Sequence, residues 1–189
     1  LTIRADRTYV LSGGTGAVAR AVARALVDHG ARHLALIARS ELPGKQLEEF
    51  AVPAHVRLFQ ADVGKPGQLA LAVRELRAAM PPVAGVVHAA GALHDALLDD
   101  LDEAAIREVL QPKVDGARLL AALLDDGQLD FFVATSSMAA WLGNQGQAAY
   151  GAANAWLDAF CTARAQRCRR SLSVAFGPWA EAGMAARLS

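Results

Sequence analysis

Four side chains in this 189-residue chain have types and spacing that suit the reduction of a ketone. Tyr150 and Asn154 fall four apart in a helical pattern and so share a face. Ser137 follows a short apolar run, and Lys113 lies upstream in another helical stretch. Reduction requires a hydride donor and a proton donor to the developing alkoxide. Tyrosine is a sensible acid, but its ordinary pKa of about 10 makes a nearby positive charge useful. Lysine supplies such a charge, and a serine hydroxyl can bond the carbonyl oxygen and help place it. Taken singly, each has a plainer role. Ser137 would serve as a strand-end cap, Tyr150 as a half-buried aromatic, Asn154 as a surface amide and Lys113 as a solvated charge.

The hydride donor would need a site of its own. The segment Ser12-Gly13-Gly14-Thr15-Gly16-Ala17-Val18-Ala19 separates an apolar run from a helical pattern. Gly14-x-Gly16-x-x-Ala19 matches the dinucleotide fingerprint in the form ending in alanine. Glycines allow a tight turn and close backbone approach to a pyrophosphate, and the helix start offers N–H groups and a favourable dipole. A purely structural turn is the alternative. After the next apolar run stands Ala38-Arg39-Ser40, where an NAD site often places an acid. Arg39 can fork onto a 2′-phosphate and Ser40 adds a hydroxyl, so NADPH is the expected cofactor. The nearby Glu41 keeps NAD open, and Arg39 could equally be a solvated strand-end charge. Asp62 and Val63 follow the third apolar run, and Ala89, Ala90 and Gly91 follow the fourth; these are expected to complete the cofactor contacts. Asp62 could meet adenine or simply cap its loop.

These residues need a frame that gathers strand ends. Strands are expected at Thr8–Leu11, His33–Ala38, Val56–Gln60, Val83–Val87, Phe131–Ala134 and Leu172–Phe176. Helices are expected at about 18–29, 66–80, 101–110, 113–124 and 148–166, with Pro66 near one start and Gly30 after one stop. The alternation predicts an α/β fold: a Rossmann-type, doubly wound parallel sheet with helices on both faces. In such a sheet ligands bind beyond the carboxyl ends of the strands, where the strand order switches. No repeat, low-complexity tract or linker divides the chain, so residues 1–189 read as a single domain.

Composition sets the outer limits. Apolar residues make up 53% and charged residues 20%, an ordinary globular mixture. Nineteen basic side chains balance nineteen acidic ones, which gives no case for nucleic acid or an anionic membrane as a main partner. No apolar run reaches the length of a membrane span. Cys161 and Cys168 lie two helical turns apart, too far for a disulfide, and read as free, inert thiols in a reducing compartment. A cytoplasmic location is expected. His88 and His94 could be ligands in principle, but no cluster of metal-ligand spacing surrounds them. Trp141, Trp156 and Trp179 are expected to pack.

The pieces then form a pattern. Gly13-Gly14-Thr15-Gly16, Val87–Gly91, Pro112–Gly116, Ser136-Ser137, Gly146–Tyr150, Asn154, and Gly177-Pro178-Trp179 through Gly183-Met184 occur in order over nearly the whole chain. The chain resembles the catalytic half of ketoreductase domains of modular polyketide synthases, members of the short-chain dehydrogenase/reductase superfamily. That resemblance implies Tyr150 as proton donor, Ser137 as the group orienting the carbonyl, and Lys113 with Asn154 completing a tetrad. In this family the lysine lies upstream and the asparagine four after the tyrosine, the reverse of most short-chain dehydrogenases, and the sequence shows that exchange.

The resemblance further implies NADPH-dependent reduction of a β-ketoacyl thioester to the β-hydroxyacyl thioester. The substrate would be linked by phosphopantetheine to an acyl carrier protein. Family members forming the D-hydroxyl usually carry Leu-Asp-Asp, and this chain has Leu93-His94-Asp95. The opposite class usually has a tryptophan eight before the tyrosine; here that position is Leu142. Leu93, Asp95, Leu142 and Gln147 are the expected stereocontrol residues, and the D-hydroxyl the expected product. Ala19 stands in place of the usual glycine, and the segment between Arg39 and Asp62 is short for the family, implying an abbreviated helix. The family usually has a structural subdomain before this portion and a last helix and strand after it, and that subdomain and the neighbouring synthase domains are also expected partners. The chain would then be an excised portion of a synthase, exposing apolar surface where they pack. The alternatives are a reduction-inactive domain serving epimerisation, or a scaffold.

Overall fold

A computed structural model describes residues 2–41, 54–125, 127–165 and 170–177. Six strands form one sheet: β1 (Thr8–Ser12), β2 (His33–Ala38), β3 (His55–Gln60), β4 (Val83–His88), β5 (Phe131–Ser137) and β6 (Ser171–Phe176). Their spatial order is β3-β2-β1-β4-β5-β6, and every pairing is parallel. Chain order therefore runs outward in both directions from the β1–β4 junction, which is where a doubly wound sheet opens its ligand crevice. The expected Rossmann-type fold is the observed one.

Period-two alternation seats the sheet between two cores. Tyr9 and Leu11 of β1, and Leu34 and Leu36 of β2, join one apolar cluster with helix α1 (Ala17–Asp28). Val10, Ala35 and Ile37 point the other way. They pack with α2 (Pro66–Ala79), α4 (Gly116–Leu124) and α6 (Ala148–Ala165). A third small cluster of Val109, Ala149 and Ala153 seats the start of α6 against α3 (Glu103–Leu110). Among the described residues no helix is long and apolar enough to cross a membrane.

Several boundaries move from their sequence positions. β5 continues through Ser137, so that residue closes the strand rather than following it. A four-residue helix α5 (Ala139–Leu142), unexpected from the sequence, follows at once. Helix α3 begins after Asp102, not at Leu101, because the Asp102 carboxylate accepts from Ala105 N–H at 2.8 Å as an N-cap. Lys113 is not at the start of a regular helix. Residues Gln111–Asp115 form a π-helical turn, and regular helix resumes at Gly116. The segment between Arg39 and Asp62 that bears on the abbreviated helix lies largely outside the described residues, as do Cys168 and the stretch from Pro178 to Met184.

Leu120 on α4 is fully buried beneath the sheet. Leu120→Ala should lower unfolding stability by about 2–5 kcal/mol, the usual cost of a core leucine cavity, read from urea denaturation at unchanged slope.

Candidate active site

The glycine loop is built by close backbone approaches. Gly13 has φ +66°, and a Cβ there would lie 2.7 Å from the Ala89 carbonyl oxygen and the Ala90 nitrogen. The loop thus rests directly on the segment that follows β4, across the topological switch. Gly16 N–H closes the turn onto the Gly13 carbonyl at 2.8 Å. Gly16 also caps α1 without a side-chain acceptor, leaving the helix start facing outward. Gly14 is turned inward; a Cβ there would stand 2.7 Å from Leu36 Cβ. Its hydrogen serves packing of loop on strand.

A cleft of 720 Å³ opens above the carboxyl ends of β1, β2, β3 and β4. Gly13, Thr15, Gly16, Ala17 and Val18 form one wall, with Arg39 and Ser40 at one end. Asp62, Val63, Ala89, Ala90 and Gly91 line the middle, and Leu93 and Asp95 reach the other end. The structure therefore brings together every expected cofactor residue except Gly14, which lies beneath the loop. Arg39 and Ser40 are exposed at the rim. Asp62 also caps its own loop: one carboxylate oxygen accepts from Gly64 N–H at 2.9 Å, and its N–H donates to Gln68.

Beyond Gly91 the cleft meets a buried cation. Lys113 is 3% exposed, and its ammonium donates to the Thr135 carbonyl at 3.0 Å. The same Nζ lies 5.5 Å from the centre of the Tyr150 ring. Burial pushes the Lys113 amine down to about 8, against the opposing pull of the Asp158 carboxylate. Gly91 lets the lysine through: a Cβ there would stand 3.1 Å from Lys113 Cε. Asn154, fully buried, donates through Nδ2 to the Tyr150 carbonyl at 2.8 Å. Its Oδ1 is buried and accepts from none of the described residues. Ser136 donates to the Asn154 carbonyl at 3.3 Å, tying β5 to α6. The Ser137 hydroxyl accepts from Ala139 N–H, the first residue of α5, at 3.2 Å. Lys113, Tyr150 and Asn154 thus form one cluster, with Ser137 at the adjoining strand end.

At the mouth, Gln147 Nε2 donates to the Asp95 carboxylate at 3.2 and 3.4 Å, and Ala96 N–H donates to the Gly146 carbonyl at 2.9 Å. Two of the expected stereocontrol residues therefore meet. Leu93 lines the cleft and Leu142 is 75% exposed at the end of α5. His94 turns away to Glu108, 3.2 Å off.

His88 is a residue whose place sequence reasoning missed. It is fully buried at the end of β4, with Nδ1 2.7 Å from Ser12 Oγ and Nε2 3.0 Å from the Lys113 carbonyl. Burial, aided by the charge of Lys113, pushes its pKa down to about 3 and keeps it neutral. The signal available in the sequence was its place at the end of an otherwise apolar strand. Among the described residues no group of three or more His, Cys, Asp or Glu could hold a metal.

The KR domain family model matches residues 7–181. The chain belongs to the ketoreductase domain family of polyketide synthases. It is 37% identical over 206 residues to 6-methylsalicylic acid synthase of Aspergillus terreus, covering 97% of this chain and 11% of that protein. It is 38% identical over 192 residues to a phenolphthiocerol synthesis polyketide synthase of Mycobacterium marinum, covering 98% and 9%. Among solved structures, the ketoreductase from the first module of phoslactomycin biosynthesis in Streptomyces sp. HK803 superposes with a TM-score of 0.85 at 36% identity. That match covers 94% of this chain and 42% of the other. The ketoreductase domain thus spans a small fraction of the synthases it matches and under half of the solved ketoreductase. Ketoreductase domains are oxidoreductases of the short-chain dehydrogenase/reductase fold that use nicotinamide cofactors. The glycine loop fits such a group, since Gly16 starts α1 with no side-chain cap and that helix start, with Ala17 and Val18, lines the cleft.

Gly13→Ala should lower stability by about 1–3 kcal/mol, because it combines a left-handed backbone with a clash against backbone that cannot swing aside. Thermal or urea unfolding checks this, and a variant as stable as the parent would contradict the close approach.

Proposed function

We propose that the domain reduces a β-ketoacyl thioester, carried on the phosphopantetheine of an acyl carrier protein, to the D-β-hydroxyacyl thioester with NADPH. Neighbouring domains of a cytoplasmic synthase would deliver and receive the chain. The observation that carries this reading is the buried Lys113 ammonium, set 5.5 Å from the Tyr150 ring, next to the cleft that the glycine loop lines.

Bound NADPH would supply the hydride to the ketone carbon. Arg39 and Ser40 would hold its 2′-phosphate and the start of α1 its pyrophosphate. The Tyr150 hydroxyl donates its proton to the carbonyl oxygen as charge develops there. Lys113 lowers the cost of the resulting phenolate by its positive charge. The Ser137 hydroxyl bonds the same carbonyl oxygen and fixes its direction. Asn154 holds the Tyr150 turn of α6 through the peptide carbonyl, which orients the ring. Asp95 and Gln147, paired at the mouth, select the face from which the substrate enters, which supports the D-configured product.

Tyr150→Phe should reduce NADPH consumption with a β-ketoacyl thioester by about a hundred- to ten-thousand-fold, the usual worth of a positioned acid. Equal rates in parent and variant would remove Tyr150 from this role, and chiral analysis of the product reads the configuration. Arg39→Ala should raise KM for NADPH by about tenfold or more while leaving NADH little affected, since a charge-assisted bond to phosphate is lost. The reduction rate should fall as pH rises through about 8, because Lys113 is charged below that value and neutral above it. A rate that holds constant to pH 10 would oppose the assignment.

A further inference from the structure

Two hydrogen-bonding partners of one buried ring define an unassigned role at the switch point. His88 ends β4, the strand beside β1. Its Nε2 faces the carbonyl oxygen of Lys113 at 3.0 Å. A carbonyl only accepts, so Nε2 carries the hydrogen and the imidazole is the Nε2–H tautomer. Its Nδ1 is then an acceptor, and the Ser12 hydroxyl 2.7 Å away must donate to it. Ser12 is the last residue of β1 and immediately precedes the glycine loop. The ring therefore joins the base of that loop to the backbone of the π turn.

That turn needs such a tie. A π-helical turn departs from the regular ladder, and the ammonium it carries must reach Thr135 and Tyr150 from the far side of Gly91. The space around the ring is correspondingly tight. A Cβ at Gly116 would lie 3.0 Å from His88 Cε1, so the helix that resumes after the turn begins with the one residue that admits the imidazole.

We infer that His88 is a positioning residue for the reduction. As the Nε2–H tautomer fixed by Ser12, it anchors the Lys113 peptide and so sets where the ammonium sits relative to Tyr150. It touches neither substrate nor cofactor in this role. The inference rests on the reductase reading, in which Lys113 acts on Tyr150.

Amide substitutions separate the two bonds. His88→Gln places an amide N–H near the Nε2 position and preserves the bond to Lys113. His88→Asn places its amide near Nδ1, reaching Ser12 but not the Lys113 carbonyl. His88→Phe keeps the ring and loses both. NADPH oxidation with a β-ketoacyl thioester gives kcat and both KM values for each. His88→Gln should retain kcat within about threefold, whereas His88→Asn and His88→Phe should lose about tenfold or more with KM for thioester little changed. An Asn variant that equals or exceeds the Gln variant would overturn the inference, as would a Phe variant with the parent's kcat. If the Phe variant does not fold, the Gln–Asn comparison decides. Independently of turnover, long-range 15N–1H spectra of the parent chain should show His88 protonated at Nε2 and bare at Nδ1. The reverse tautomer would overturn the inference even in a fully active protein. A parent that shows this tautomer and yet consumes no NADPH would defeat the reductase reading and, with it, the effect of His88 on rate.

Discussion

An ammonium placed inside a protein has to be held there against the pull of water. Burying an unpaired charge costs several kcal/mol even after the surroundings relax, and Lys113 is almost fully enclosed. Three features offset that cost. The Thr135 carbonyl accepts from Nζ, the face of Tyr150 presents its ring electrons, and Asp158 adds a favourable field. Thr135 comes from β5 and both Tyr150 and Asp158 from α6, while the lysine itself comes from the turn before α4. The lysine can therefore take this position only when sheet and helices are packed together. The same enclosure makes its charge effective, because a neighbouring phenolate is stabilised more strongly away from bulk water.

The sheet topology supplies the second half of the arrangement. Reversal of chain order between β1 and β4 leaves the loops after these strands side by side. Gly13 exploits this by lying directly against Ala89 and Ala90. The contact couples the cradle for a dinucleotide to the segment that leads, through Gly91, to the lysine. Small residues recur along this line for one reason: backbone must approach backbone, or a long side chain must pass.

Much of this was legible from the residues alone. Apolar runs of four to six residues, separated by helical patterns, specify a parallel sheet covered on both faces. The glycine loop and Arg39 line the cleft, and the spacing of Tyr150 and Asn154 puts both on one helix beside Lys113. What the sequence left open has a shared cause. Gly14 belongs to the glycine fingerprint, yet its hydrogen faces Leu36 instead of the cleft. A local motif does not say which glycine faces the ligand and which faces the neighbouring strand. The π turn at Lys113 and the short α5 after Ser137 were also missed, since both depend on hydrogen bonds between residues whose pairing periodicity cannot foresee.

His88 shows the division most clearly. A histidine at the end of an apolar strand has too many plausible uses for its neighbours in sequence to choose among them. Its two partners lie 76 and 25 residues away, and only the assembled sheet brings both within hydrogen-bond reach. By itself the sequence determined the family and the strand–helix order, because these are written in local periodicity and ordered motifs. The tertiary structure alone decided the burial of Lys113, the pairing of Asp95 with Gln147 and the tautomer of His88. Desolvation and hydrogen-bond geometry are set by whatever the fold brings alongside a group, and that is a property of distant residues in contact.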